Sequence, residues 1–525
     1  MPKESEESYL ERHKELESAD PGEARMNALQ SNATAVRAVA AAVEGTLGPK
    51  GLDTMLVNGR GEVVVTNDGV TILERMDVKH PAAQMVVNIA RAQQEEVGDG
   101  TTTATLLAAA LVDEGVKQVK RGVPVAKVIA GIQYGVRFAL EQMQMKARPI
   151  WDLEDEWLQR IAFTAGREQE DITNLVMEAA HLVGREKLLE KNFKLSDTVV
   201  AHPRVESGVF SGVLLNKGRL NVQMPSFLEN PRVLVVADAL EPEQLEEEVL
   251  RTEAGFSKYM ELKEAFRKTI EQLVELDVGL VVVGQGVDPV AEEILTEASV
   301  IVVNRVKKSD LIKVAEHTGA RMVKRTGLDR SPEELEEILG SCATVEEDER
   351  FQRIRITGGT GKPSATILVG AATEEVVGER ERICKDAAAA VQAALRGGFI
   401  PGGGATELAL ARDVEKYGDT VQGMEGFGIA AVAEALQRPM AQVVANAGFN
   451  PLEKVEEVKA LQWKRRSDSL GIDCDRGTVV DMIEMGVVDS LLVKYHALQA
   501  ASEVSTAILR IHTVVRMRDE EYLSE

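Results

Sequence analysis

Val97-Gly98-Asp99-Gly100-Thr101-Thr102-Thr103-Ala104 runs straight into the apolar stretch Leu106-Leu107-Ala108-Ala109-Ala110-Leu111. Two glycines let the backbone approach a ligand closely, three hydroxyls fall where a helix begins, and the free amides of a first helical turn favour an anion. The pattern reads as a phosphate cradle. Asp99 inside it would repel a phosphate by itself, but fits if a magnesium ion bridges carboxylate and phosphate. An Asp or Thr N-cap ahead of a buried helix would write the same residues, so the stretch needs support from elsewhere in the chain.

Upstream, Gly45-Thr46-Leu47-Gly48-Pro49-Lys50-Gly51 is turn-rich and follows an Ala-rich run, Ala33 to Val43, that predicts a helix. Next, Val63-Val64-Val65-Thr66 and Val70-Thr71-Ile72-Leu73 flank Asn67-Asp68-Gly69, which predicts a hairpin with Asp68 in its turn. Far downstream, Phe399-Ile400-Pro401-Gly402-Gly403-Gly404-Ala405-Thr406-Glu407 repeats the glycine loop leading into a helix. A triple glycine costs conformational entropy on folding, which implies a tight backbone crossing or a ligand pressed on the main chain. Just before it, Arg382-Ile383-Cys384-Lys385-Asp386-Ala387-Ala388-Ala389-Ala390-Val391 reads as a helix carrying one acid into a small, apolar surface. A single Asp on a helix is by default a solvated charge.

These residues taken together, Thr46 to Gly51, Thr66 to Leu73, Val97 to Ala104, the Asp386 helix and Pro401 to Ala405, resemble the chaperonins, ATP-driven ring-shaped folding machines, over essentially the whole chain. Lys307-Lys308-Ser309-Asp310, Gly471-Ile472-Asp473 with Val480-Asp481-Met482, and Ala507-Ile508-Leu509-Arg510-Ile511 are similar to the group II type, with the bacterial group III branch as the alternative. The resemblance implies a multidomain chaperonin fold. A mostly α-helical equatorial ATPase domain would take residues 1–145 and 397–525, and a small α/β intermediate hinge domain 146–214 and 361–396. An α/β apical domain, 215–360, would carry a helical protrusion over about 241–276 as a built-in lid.

For the site, the resemblance implies that Asp386 orients or activates the attacking water and that Asp68 stands near the terminal phosphate. Thr46, Leu47, Gly48, Pro49, Asn67, Asp99, Gly100, Thr101, Thr102, Thr103, Gly403, Gly404, Asp473, Cys474 and Asp489 would bind ATP, with Asp99 the magnesium ligand and potassium a further candidate ion. The chain departs from the family pattern at Asp489-Ser490, where Glu-Pro is common, at His512, where an acid is usual, and at Ala165-Gly166-Arg167, where a nucleotide-sensing Lys is usual. Lys and Arg are not equivalent at a phosphate. The implied partners are further copies of the chain, in two stacked rings of eight or alternatively nine, and unfolded protein clients, with no separate lid co-chaperone.

Composition agrees. At 525 residues the chain is too long for one core and predicts about three domains at roughly 100–200 residues each. A net charge of -24 speaks against nucleic acid or an anionic membrane surface, both of which call for basic patches. Three cysteines, Cys342, Cys384 and Cys474, without paired spacing give neither a disulfide framework nor a zinc site. The charged start Met1-Pro2-Lys3-Glu4-Ser5-Glu6 and the lack of any apolar run of about 18 residues lead to a cytoplasmic expectation.

Between the two glycine-loop regions the composition changes. Val233 to Ala237, Val278 to Gly284 and Val300 to Asn304 are short all-apolar strands alternating with helical stretches, which indicates a parallel sheet covered on both faces. Because the nucleotide motifs lie on either side of this block, the chain must leave one domain and return to it. Gly358-Gly359-Thr360-Gly361-Lys362-Pro363 is not a Walker A loop, since Pro363 stands where a metal-binding hydroxyl is required. From Glu243 to Leu276, Leu245, Val249, Phe256, Tyr259, Met260, Leu262, Phe266, Ile270 and Leu273 recur at near-helical spacing, interrupted by Gly255. Such a stretch is either an amphipathic helix packed on the sheet or an exposed apolar tip able to hold unfolded chains. Two other functions compete: a small-molecule phosphotransferase, which predicts a small oligomer, and a passive holding protein, against which the retained Asp68, Asp99 and Asp386 speak.

Overall fold

The computed structural model describes residues 21–243 and 253–513. The chain divides into two compact units, one formed by the chain up to Asn174, Lys194–Asp197 and everything from Thr373 on, the other by Leu175–Phe193 and Thr198–Ala372. The chain thus leaves the first unit and returns to it. The segments read as a hinge, 146–214 and 361–396, are shared between the two units.

The first unit is helical. Thr101–Lys120 is buried along most of its length, which is why its sequence is apolar and small on every side rather than striped. Around it lie Pro21–Val43, Pro81–Glu96, Val125–Lys146, Glu425–Ala435 and Leu491–Arg510. Their side chains Val36, Val86, Ile132, Val432 and Leu498 meet in one core with Leu111, so the two ends of the chain share a single interior. Small residues set the spacing. A Cβ on Gly131 would stand 2.0 Å from the carbonyl oxygen of Glu425, and one on Gly428 would stand 2.3 Å from that of Val128, so these two helices cross backbone to backbone.

The second unit holds two sheets. In the four-stranded one, Ile301–Val303, Val278–Val283 and Arg232–Val236 run parallel, and Gly340–Ser341 adds an antiparallel edge. Val233, Val235, Leu280 and Val282 enter one core while Leu234, Val236, Val281 and Val283 enter another, so successive residues serve opposite faces and the strands must be apolar throughout. In the six-stranded sheet, Ala365–Ala371 lies between Val199–Pro203, to which it is parallel, and Gly208–Leu215, to which it is antiparallel.

Gly255 is buried in the first turn of helix Glu253–Glu275, and residues 244–252 before it lie outside the described ones. Phe266, Ile270 and Leu273 pack on the four-stranded sheet, whereas Phe256 and Met260 nearer its start are more than half exposed, at 59% and 52%. The packed amphipathic reading therefore holds for the second half of this helix, while its first half leaves Phe256 and Met260 exposed. Leu245 and Val249 lie outside the described residues.

The expected hairpin at Asn67-Asp68-Gly69 is not formed. The hairpin is Thr54–Val57 with Val63–Thr66, turning at Asn58 to Gly61, and the run after Gly69 is helix Gly69–Arg75. Asp68 is its N-cap, accepting from the Thr71 amide at 3.0 Å, and Ile72 and Leu73 are buried in the helical core. An Asn-Asp-Gly signal serves a cap as well as a turn, and core burial decided which. Among the described residues no helix is long and apolar enough to cross a membrane.

Replacing Gly131 or Gly428 with Val should force the crossing apart and destabilise the first unit by about 1–3 kcal/mol, read as a fall in thermal midpoint. An unchanged midpoint would mean that the close crossing is not formed.

Candidate functional site

All the residues singled out as a nucleotide site lie in the first unit. Gly98 and Gly100 both take left-handed backbone, at φ 82° and 81°, and Gly100 caps helix Thr101–Lys120, whose first-turn amides are unpaired with side chains. Only glycine fits here, since a Cβ at Gly98 would stand 2.6 Å from Ala389 on the Asp386 helix, and one at Gly100 would stand 2.6 Å from Val493. Gly69 meets the same turn, with its Cβ position 2.5 Å from Thr102 Oγ1 and 3.0 Å from Thr101 Oγ1. The loops carrying Asp68 and Asp99 and the helix carrying Asp386, Glu374–Gly397, thus converge.

Their charges interact accordingly. Burial, then the negative charges of Asp99 and Asp68, push the Asp386 carboxyl well above the usual carboxylate range. Burial also raises Asp99 to about 6, against the pull of the Gly100 amide, which donates to its Oδ1 at 2.6 Å. Burial and neighbouring negative charge thus both favour the neutral form of these two carboxyls.

Arg167 is the cation beside them. It sits in left-handed backbone, φ 53°, donates to Asn67 Oδ1, and forms a 2.9 Å ion pair with Glu379. Glu379 also accepts from Thr66 Oγ1 at 3.3 Å and from Arg382 at 2.7 Å. Two helical turns separate Glu379 from Asp386, so both lie on one face and the network ties that face to the Asn67-Asp68 loop.

Gly403 and Gly404 are left-handed, at φ 61° and 81°. Gly404 abuts the Met440 backbone, Gly403 abuts Met482, and Gly402 abuts the Asp489 carboxylate, whose Cγ would stand 3.3 Å from an added Cβ. Asp489 pairs across strands with Ile400. Thr46 to Pro49 form a loop whose Leu47 carbonyl accepts from Asn446 Nδ2 at 2.8 Å, while Gly48 rests on Val443. Lys50 then joins Asp475 in an ion pair, bringing in Asp473 and Cys474. One Asp473 oxygen caps its own turn, accepting from the Asp475 amide at 2.8 Å. The Cys474 thiol is half-buried and raised chiefly by that burial. Asp473 and Cys474 thus stand beside the Lys50 end of that loop.

Sequence reasoning passed over Gln93, Glu379, Lys494 and the role of Glu407. Gln93 Nε2 bridges the Asp99 carbonyl at 2.8 Å and the Val493 carbonyl at 3.0 Å, joining the two glycine-loop regions. Each is a polar residue on a helix whose partners lie far along the chain, and it carries no local signature.

The donor set suits a magnesium-bound triphosphate. Left-handed glycines leave backbone free for phosphate oxygens, and Arg167 and Lys494 only partly offset the charge of the raised acids. Among the described residues no group of three or more His, Cys, Asp or Glu could hold a metal by itself. That is what magnesium needs if one or two carboxylates share it with phosphates and water.

The model of the TCP-1/cpn60 chaperonin family matches residues 39–519. The chain belongs to that family. It is 35% identical over 504 residues to a thermosome subunit of Methanocaldococcus jannaschii, covering 93% of this chain and 92% of that protein. To the thermosome subunit alpha of Thermoplasma acidophilum it is 35% identical over 507 residues, at 93% and 91% coverage. A crystal structure of a group III chaperonin in the open state matches with a TM-score of 0.82 and 46% identity, covering 94% of this chain and 99% of the other. Both the group II and group III readings fit, and the chaperonin is an ATP-dependent chaperone.

Asp99 binds more protons when folded than when unfolded between pH 4 and 6, so its charge costs stability above pH 6 and that cost vanishes as pH approaches 4. Asp99→Asn should therefore stabilise the nucleotide-free chaperonin at pH 7.5 by about 2 kcal/mol, at 1.36 kcal/mol per pKa unit trimmed for partial exposure, and by almost nothing at pH 4. Thermal unfolding across pH measures both, and a variant no more stable than wild type at pH 7.5 would contradict the raised carboxyl.

Proposed function

We propose that this chaperonin hydrolyses ATP with magnesium at the site just described and couples hydrolysis to the enclosure and folding of unfolded polypeptides. The carrying observation is the convergence of Asp68, Asp99 and Asp386 on left-handed glycines at a helix N-terminus. Asp99 would hold magnesium, which when bound neutralises phosphate charge. Backbone at Gly48, Gly100, Gly403 and Gly404, with Thr101, Thr102 and Thr103, would position the phosphates. Thr46, Leu47, Pro49, Asn67, Asp473, Cys474 and Asp489 would line the remainder, Asp489 at the nucleoside, and potassium is a candidate second ion.

Asp386, with its raised carboxyl next to two other acids, suits a group that orients and accepts a proton from the attacking water, and Asp68 would stand by the terminal phosphate. Arg167 would read the nucleotide. Its partners Asn67 and Glu379 support that role, since any phosphate reaching the Asp68 loop competes with them for the guanidinium.

The same reading takes residues 1–145 and 397–525 as the equatorial domain, 146–214 and 361–396 as the hinge, and 215–360 as the apical domain. Because helix Glu374–Gly397 continues from hinge residues into the site, hinge movement would deliver Asp386 and make hydrolysis conditional on conformation. The exposed Phe256 and Met260 fit a built-in lid at about 241–276 that needs no separate co-chaperone. Relatives named thermosome subunits and a group III chaperonin support a ring assembly, proposed as two stacked rings of eight identical chains, with nine the alternative, in the cytoplasm.

Asp386→Ala should keep ATP binding within about threefold while turnover falls at least 100-fold, the range of a lost general base. Undiminished ATP-dependent refolding by the variant would overturn the cycling mechanism. In sizing chromatography the protein, at 57.1 kDa per chain, should elute at roughly 900 kDa. A small oligomer would rule out the rings.

A further inference from the structure

Where the two glycine-loop regions meet lies a buried charge cluster of which only Asp489 has a role in the account so far. Lys494, in the first turns of helix Leu491–Arg510, places Nζ 3.1 Å from Glu407 Oε1 and 3.1 Å from Asp489 Oδ2. Side-chain exposure rises across the three, from 2% at Glu407 through 12% at Lys494 to 23% at Asp489. Glu407 comes from the first turn of the helix that follows Gly402 to Gly404, and Asp489 from the strand beside Ile400. Three elements distant in sequence are thus pinned by one ammonium.

A buried ion cluster is a poor device for stability alone, because desolvation offsets most of the attraction and apolar replacements are often as stable. What it does supply is direction. Asp489 gives Oδ2 to Lys494, and among the described residues no hydrogen bond engages Oδ1. Its carboxylate lies against Gly402, so a molecule seated on the glycine loop meets it. Unpaired, a carboxylate beside the Asp99 charge would swing toward solvent. The two attractions hold Lys494 firmly protonated despite burial. Its neighbour Val493 takes the Gln93 hydrogen bond that also holds Asp99, so the same turn braces both halves of the site.

We propose that Lys494, backed by Glu407, is a positioning residue that aims the Asp489 carboxylate at the nucleoside end of the bound nucleotide. This rests on the assignment of Asp489 to the nucleoside. It adds that affinity depends on a residue that touches no ligand itself and acts through Asp489 alone.

The test is a double-mutant comparison on the full chain, with binding of ADP and magnesium measured calorimetrically and assembly checked by sizing. Asp489→Asn and Lys494→Met should each weaken binding at least tenfold, and Asp489→Asn/Lys494→Met should bind within twofold of Asp489→Asn alone. Lys494→Arg, which keeps the charge, should recover most of the affinity. If Lys494→Met does not assemble, Lys494→Met/Glu407→Gln removes one charge of each sign and takes its place in the same comparison. Wild-type affinity in the lysine variant, or a full further loss when it is added to Asp489→Asn, would overturn the proposal alone. Wild-type affinity in Asp489→Asn would overturn the nucleoside assignment and the proposal with it.

Discussion

Mutual repulsion among buried carboxylates is the constraint on which the rest of this molecule turns. Asp68, Asp99 and Asp386 come from a strand-to-helix cap, a glycine loop and a long helix, and nothing in the fold neutralises all three. Burial and like charge raise Asp386 and Asp99 together. A site in that state is poised for a cation and for a ligand that brings one. The left-handed glycines and the open first turn of Thr101–Lys120 provide the matching place for anionic oxygens.

The surrounding fold exists to hold those acids close against their repulsion. The helical core shared by both ends of the chain supplies rigid helices, and glycines at Gly98, Gly100 and Gly69 remove the Cβ atoms that would hold the loops apart. Polar braces do the rest: Gln93 links Asp99 to Val493, Glu379 gathers Thr66, Arg167 and Arg382, and Lys494 spans Glu407 and Asp489. Each is partly or wholly buried, where a hydrogen bond or ion pair holds geometry more firmly than it does in water. Under the proposed domain division, the Asp386 helix and Arg167 both enter from hinge sequence, so both would move with it.

Much of this was legible beforehand, for definite reasons. Glycine loops announce themselves because no other residue can take their place, and the all-apolar runs Val233 to Ala237 and Val278 to Gly284 indicate a sheet covered on two sides. The acids were legible through the company they keep. The Asn67-Asp68-Gly69 turn was misread because cap and hairpin share residue types, and only the burial of Ile72 and Leu73 in a helical core separates them. Gln93, Glu379 and Lys494 were invisible because their meaning lies in partners far along the chain, which no local pattern encodes.

The most direct measurement of the central claim is a high-resolution structure of the assembled protein with magnesium and a non-hydrolysable ATP analogue. The account predicts the metal on the Asp99 carboxylate, phosphate oxygens on the amides from Gly100 to Thr103, and Asp68 and Asp386 both facing the terminal phosphate. A nucleotide bound away from these three acids, or an Asp386 turned from the phosphate in every closed subunit, would contradict it.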